Sequence, residues 1–275
     1  MTLANAAPRI QVHGHRGARA ARPENSLPAF EYAIAQGVEV LELDLAVTKD
    51  DVLVVSHDSH MNPKFCQGPA GSPTLIRKMT LAELRLWDCG AKANPEFPKQ
   101  QAIPGTRVPT LQEVFDLAKS KRSKVEFNIE TKISPARPEE TPTPERFAEL
   151  VLAVVRKNKL IPRVILQSFD YRTLHAMKKL EPAMRLSALY PFSMSAPPRT
   201  LVELAADAGA TIVSPHYTTV KAEQVAAAHK AGLQVVPWTA NDAKTWDKLI
   251  AAEVDAIITD DPEALIAYLK AKGLR

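Results

Sequence analysis

Two histidines and two carboxylates that could meet at one site lie in one stretch, His13 to Asp58, which reads HGHRGARAARPENSLPAFEYAIAQGVEVLELDLAVTKDDVLVVSHD. The histidines are His15 and His57, and the acids are Glu42 and Asp44. Imidazole titrates near neutral pH and serves as either acid or base. Two carboxylates at alternate positions of a strand point to the same face and can hold a hard cation such as Ca²⁺ or Mg²⁺. Arg16 follows His15 directly, and its planar fork matches the oxygens of a phosphate.

The elements that must position these groups are legible beside them. Residues 38–47 (VEVLELDLAV) and 52–56 (VLVVS) are apolar and read as strands. Only Thr48 to Asp51 lies between them, too short for a parallel crossover, so the connection is expected to be a hairpin. With Val47 opposite Val52, Asp44 falls opposite Val55 and Glu42 opposite His57, which crowds both acids and the histidine on one face. A slip of one residue undoes that pairing. Acids in a strand can also face solvent and pair with lysines, but the continuously apolar flanks here suit a strand buried on both faces. Before it, Ile10 to His15 is a first strand, and Gly14 and Gly17 allow the backbone to approach a ligand closely. Asn25 or Ser26 caps a helix that runs through Gln36, with Pro28 in the first turn and Gly37 as the stop.

Taken in order, His15-Arg16-Gly17, Glu24-Asn25-Ser26, Glu42-Leu43-Asp44 and His57-Asp58 resemble the HRG, ENT, ExD and HD motifs of the glycerophosphodiester phosphodiesterases. Ser26 stands where that family has Thr. Glu130 and Lys132 match the family's E-x-K, within an alternating strand that places Asn128, Glu130 and Lys132 on one face. A solvent-exposed strand with an ion pair would share that pattern. Gln167-Ser168-Phe169, Trp238 to Asn241 and Ile257 to Asp260 resemble later motifs, whereas the family's usual arginine after His-Asp has no clear match.

The resemblance implies a TIM barrel that hydrolyses glycerophosphodiesters to glycerol 3-phosphate and an alcohol. It implies one divalent cation, Ca²⁺ or Mg²⁺, on Glu42, Asp44 and Glu130, with His15 and His57 as the acid–base pair. Arg16 and Lys132 would bind the phosphate, Lys132 by stabilising charge on a phosphoryl oxygen. Trp238 would be an apolar wall for glycerol, or else a core tryptophan. It further implies that the glycerol 2-hydroxyl attacks first and that water then opens a cyclic phosphate. The alternatives are a phospholipase D-like or lysophospholipase D-like lipid phosphodiesterase, or a glycerophosphodiester-binding protein that has lost catalysis. Retention of both histidines and all three acids argues against the last.

Composition bounds these readings. The 275 residues are 45% hydrophobic, enough for a sizeable core. The net charge is +4 and the basic residues are spread, a mild preference for anionic small molecules without a nucleic-acid footprint. No apolar stretch reaches the ~18 residues of a membrane span, and no signal for an oligomeric state is present. Residues 1–9 lack the charged and apolar regions of a leader, which reads as cytoplasmic. Ala4 to Ala7 resembles a cleavage site, so a leader removed before Ala7 would make the protein periplasmic or secreted. Cys66 and Cys89 read equally as a disulfide or as two free thiols.

Downstream, strand and helix alternate with short connections, the signature of a parallel sheet under helices. Nine strands are expected, near residues 10, 40, 53, 126, 164, 186, 212, 235 and 256. Eight close a TIM barrel, and 52–56 is the extra one. An open doubly wound sheet is the alternative, but no glycine-rich dinucleotide loop follows the first strand. The chain reads as one barrel domain over 1–275, with a small insertion at 58–109 that is proline-rich and opens a helix at the Thr80–Glu83 capping box. His60 reads there as a surface-loop residue.

Overall fold

The computed structural model describes residues 9–191 and 199–275; the Ala4 to Ala7 segment lies outside them. Nine strands are described: β1 (Gln11–Gly14), β2 (Val40–Val47), β3 (Leu53–Val55), β4 (Glu126–Thr131), β5 (Val164–Ser168), β6 (Arg185–Tyr190), β7 (Ile212–Pro215), β8 (Gln234–Val235) and β9 (Ala256–Thr259). Eight are parallel, in the order β8-β7-β6-β5-β4-β2-β1-β9. The last gap is bridged by backbone hydrogen bonds, Asp255 N to Val235 O at 3.0 Å and Ile258 N to Pro237 O at 3.0 Å. The result is a nearly closed barrel with helices outside, the TIM-barrel architecture. β8 is shorter than the expected strand from Leu233 to Trp238. Pro237 has no N–H to continue the ladder there.

The helices start and stop where local chemistry directs. α1 (Leu27–Gln36) is capped by Ser26, whose side chain accepts from Ala29 N, and Gly37 ends it in the left-handed region. Capping boxes of Thr and Glu open α2 (Leu81–Leu84), α3 (Leu111–Ser120) and α6 (Leu201–Ala208). α2 is only one turn long, less than its apolar run suggested. The remaining helices are α4 (Pro144–Lys157), α5 (Tyr171–Leu180), α7 (Ala222–Lys230), α8 (Ala243–Ala251) and α9 (Pro262–Ala271).

β2 is buried along its whole length, so its two faces serve two cores. Leu41, Leu43, Leu45 and Val47 join the main cluster between sheet and helices. The alternate residues Val40, Glu42 and Asp44 therefore face the barrel interior. Lower in that interior, Ile165, Ile212, Val236, Ala256 and Ile258 form a separate apolar plug.

β3 pairs antiparallel with β2 and lies off the ring. Its register corrects the expected one by a single residue: Val47 lies opposite Leu53 and Leu45 opposite Val55. The longer turn follows from Asp51, which sits at φ 58° and closes the loop through Asp51 N to Thr48 O, 3.1 Å. The acids and His57 are thus not cross-strand neighbours. β3 ends at Val55, so His57 leaves the sheet and is free of its face rule.

Residues 58–109 add no strand to the ring. Met61, Cys66, Ile76, Met79, Leu84, Trp87 and Val108 pack a second small core against Ala46 and Val54. Cys66 and Cys89 are joined as a disulfide.

Candidate active site

β1 ends at Gly14, and the chain turns over the C-terminal rim at once. Both nearby glycines are needed for packing within the protein rather than for approach to a ligand. A Cβ on Gly14 would lie 2.2 Å from the Gly17 carbonyl oxygen, and one on Gly17, at φ +86°, would lie 2.8 Å from the backbone of Ala29. This tight turn presents His15 and Arg16 to the barrel mouth.

His15 Nδ1 is 2.5 Å from Asp260 Oδ1. Asp260 also accepts from Asn241 Nδ2 at 2.6 Å. With Nδ1 donating to that carboxylate, Nε2 is the ring atom turned to the site, 4.0 Å from Glu42 Oε2. Burial lowers the His15 pKa, and the charge and hydrogen bond of Asp260 oppose that. Arg16 takes an unusual φ of 50°. The strain is offset by its backbone N–H, which donates to Glu42 Oε2 at 2.8 Å, and by its guanidinium, 2.6 Å from Glu24 Oε1 and 3.4 Å from Asp44 Oδ2.

The three acids meet. Asp44 on β2 and Glu130 on β4 are register partners in adjacent parallel strands, with Glu42 one inward-facing step below. One ligand oxygen from each lies within 4.8 Å of the others, and all three residues are buried. Burial and the neighbouring Asp44 charge push the Glu42 pKa well up. Burial also disfavours charge on Asp44, but His57, Lys132 and Arg16 outweigh it and hold that carboxyl below its ordinary range. Burial raises Glu130 against the pull of Lys132. Lys132 Nζ sits 2.8 Å from Glu130 Oε1 and 3.7 Å from Asp44 Oδ1. Burial disfavours its ammonium, yet the two acids outweigh that and raise its pKa. Asp44 Oδ1 is buried without a hydrogen-bond partner. Three converging oxygens, one of them unsatisfied, fit a hard cation.

His57 reaches the same cavity from the loop after β3, with Nδ1 2.8 Å from Asp58 Oδ1 and a third of its side chain exposed. A cavity of about 240 Å³ is lined by His15, Arg16, His57, Lys132, Phe169 and Trp238, with Glu42 and Glu130 in its floor. Trp238 donates from Nε1 to Ser214 O at 2.9 Å and meets Phe169 edge to face at 5.4 Å. It is held as a wall. His216, just after β7, also packs edge to face with it. Of the residues singled out in the sequence for this site, His15, Arg16, Glu42, His57, Glu130, Lys132 and Trp238 line this cavity, and Asp44 lies behind it against Glu42 and Glu130.

Several supporting residues carried no assigned role. Asn25 was open as a helix cap; Ser26 does that work, and Asn25 donates to Asp44 Oδ2 at 2.9 Å instead. Gln167 donates to Glu42 Oε1 at 2.9 Å and accepts from Asn128 at 3.0 Å. Asp260 ends the Ile257 to Asp260 stretch that resembles a family motif, but no role attaches to it there. Its partnership with His15 joins residues 245 positions apart, which no local pattern encodes.

A family model described as the glycerophosphoryl diester phosphodiesterase family matches residues 15–264. The chain belongs to that family. Its enzyme class is accordingly that of a glycerophosphodiester phosphodiesterase, a phosphoric diester hydrolase. Among its relatives, a glycerophosphodiester phosphodiesterase of Caldanaerobacter subterraneus subsp. tengcongensis is 30% identical over 262 residues, covering 95% of this chain and 98% of the relative. A Silicibacter pomeroyi DSS-3 structure described as a glycerophosphoryl diester phosphodiesterase is 31% identical with a TM-score of 0.88, covering 97% of this chain and 95% of the other. An Oleispira antarctica phosphodiesterase, solved in complex with the product sn-glycerol-3-phosphate, is 25% identical with a TM-score of 0.77, covering 94% and 96%. No helix among the described residues is long and apolar enough to cross a membrane.

Proposed function

We propose that this family member hydrolyses glycerophosphodiesters to glycerol 3-phosphate and an alcohol, with one divalent cation, Ca²⁺ or Mg²⁺, on Glu42, Asp44 and Glu130 and with His15 and His57 as the acid–base pair. The observation that carries this reading is the convergence of both histidines and the buried acids on a single cavity at the barrel mouth. The Oleispira antarctica relative, bound to sn-glycerol-3-phosphate, supports the product. A bound cation would supply charge neutralisation at the phosphate and lower the pKa of a hydroxyl near it.

The chain's own residues do the rest. Arg16 and Lys132 face the phosphate with positive charge. Trp238 shields the apolar face of the glycerol. His15, held through Nδ1 by Asp260, presents Nε2 to one side of the phosphorus. His57, held by Asp58, presents its free nitrogen to the other side. One takes a proton from the attacking hydroxyl and the other gives one to the leaving oxygen. Residues 1–275 act as one barrel domain, with 58–109 as an insertion at its mouth.

A panel of glycerophosphodiesters, lysophospholipids and simple phosphodiesters assayed with and without EDTA tests the reading. Glycerol 3-phosphate should accumulate from the first class only, EDTA should abolish it, and added Ca²⁺ or Mg²⁺ should restore it. Full turnover in EDTA would remove the metal assignment, and cleavage confined to lysophospholipids would replace the substrate.

A further inference from the structure

A second hollow of about 420 Å³ adjoins the first and shares His57, Glu130, Lys132 and Phe169 with it. The inner lobe has Trp238 and Arg16; the outer one is bounded by the segment after β4 and by the start of the insertion. A phosphodiester carries two organic groups on one phosphorus, so a site that holds the phosphate at Lys132 needs one space for each. With glycerol against Trp238, the outer lobe is left for the departing alcohol.

One wall of that lobe is a latch centred on Glu140. Its side chain is only 11% exposed, although it lies on a surface segment. From the insertion side, Ser59 Oγ donates to Glu140 Oε2 and His60 Nε2 lies 3.4 Å from Oε1. From its own segment, Arg137 Nη1 lies 3.3 Å from Oε2. Hydrogen bonds from Ser59 to Glu140, and from Ser56 Oγ to the Asp58 carbonyl at 2.9 Å, bracket His57 within its loop. The carboxylate therefore ties the post-β4 segment to the loop that carries His57. It also forms one side of the outer lobe.

We propose that Glu140 is a specificity-determining residue that limits the leaving alcohol to small polar groups, and that it does so by latching residues 137–140 to Ser59 and His60. The proposal rests on the glycerophosphodiester reading of the site. A pinned wall of polar groups accommodates a short alcohol with hydroxyl or amino functions. It disfavours a long apolar one, which would have to break the latch and leave a half-buried carboxylate without its donors.

The test compares kcat/KM for glycerophosphoethanolamine and for its N-acylated counterpart, whose leaving alcohol carries a long chain. The wild-type enzyme, Glu140→Ala, Glu140→Gln and Ser59→Ala are measured with the cation supplied, and thermal unfolding is recorded for each. Wild type should favour the small substrate by about 10-fold or more. Glu140→Ala should shrink that ratio by about 10-fold, mainly through KM, whereas Glu140→Gln, which keeps an acceptor for Ser59, should retain most of it. Ser59→Ala should shift the ratio in the same direction and guards against failure of the first variant to fold. A latch with a purely structural role would lower the melting temperature and leave the ratio unchanged, and that result overturns the proposal. Failure of wild type to cleave either substrate would instead overturn the underlying reading of the site.

Discussion

Replacing His13 by leucine should make the protein less sensitive to mild acid. His13 lies on β1, two residues before His15, and points into the barrel with 1% of its surface exposed. Neither ring nitrogen has a hydrogen-bond partner. Burial, reinforced by the charge of Arg185, lowers its pKa from 6.5 to about 3. A histidine with a depressed native pKa contributes most above its unfolded value. As pH falls below 6.5 the unfolded chain takes up a proton that the native state refuses until about 3, so stability drains across that window. At pH 5 the unfolded state gains roughly 2 kcal/mol from this one group, and at pH 8 almost nothing. Because leucine has similar bulk and His13 makes no hydrogen bond, the variant should be near wild type at pH 8. Urea unfolding of both proteins at pH 8 and pH 5 reads the difference directly. Wild type should lose roughly 2 kcal/mol more than His13→Leu between the two conditions, whatever the other groups contribute to both. Equal losses would mean that His13 is protonated, hydrated or partnered inside the barrel, and that its isolation is wrong.

His15→Ala and His57→Ala should each lower kcat by at least about 10²-fold while the melting temperature stays close to wild type, and the double variant should be scarcely worse than the weaker single one. Near-normal turnover in either single variant would remove that histidine from the chemistry. Asp260→Asn should cost about 10–10²-fold in kcat through loss of the anionic acceptor at His15 Nδ1, with KM little changed; a matching loss in an Asn241→Ala variant would tie the effect to Asp260's own position.

The fold was legible because each local signal agreed with its neighbours. Ser26, Thr110 and Thr200 announce helices by their side-chain oxygens, and the short links between them leave few topologies open. The extra strand was legible from loop length alone, since four residues cannot cross over a sheet. Its register was not. Asp51 can adopt φ 58°, and whether it does so depends on Arg77 and Arg146, which reach its carboxylate at 2.7 Å and 3.1 Å from distant segments. The site survived that error because His57 lies beyond the strand. The acids were visible as polar interruptions of an apolar strand, but Asn25 and Gln167, which orient them, look like ordinary cap and strand-end residues. Their roles depend on what the closed barrel brings beside them.

The charges at the mouth explain why such a cluster is retained at all. Glu42, Asp44 and Glu130 are opposed within the site by Arg16 and Lys132, so the buried set carries one negative charge in excess if all ionise. A divalent cation would turn that excess into one positive charge, matched to the single negative charge of a phosphodiester. Glu42 is the acid for which ionisation costs most, since burial and Asp44 both oppose it. Glu42→Gln should therefore leave the metal-free protein about as stable as wild type, within about 1 kcal/mol, the relief of repulsion offsetting one poorly matched hydrogen bond. The two proteins should separate when the cation is added. At one hundred times its Kd, a ligand that binds only the native state stabilises by ~2.7 kcal/mol. In a chain of this length that raises the melting temperature by roughly 5–10 °C. Wild type should show this rise with Ca²⁺ or Mg²⁺, and Glu42→Gln should show much less at the same concentration. If the variant rises equally, Glu42 is not a ligand, and its convergence with Asp44 and Glu130 serves some purpose other than holding a metal.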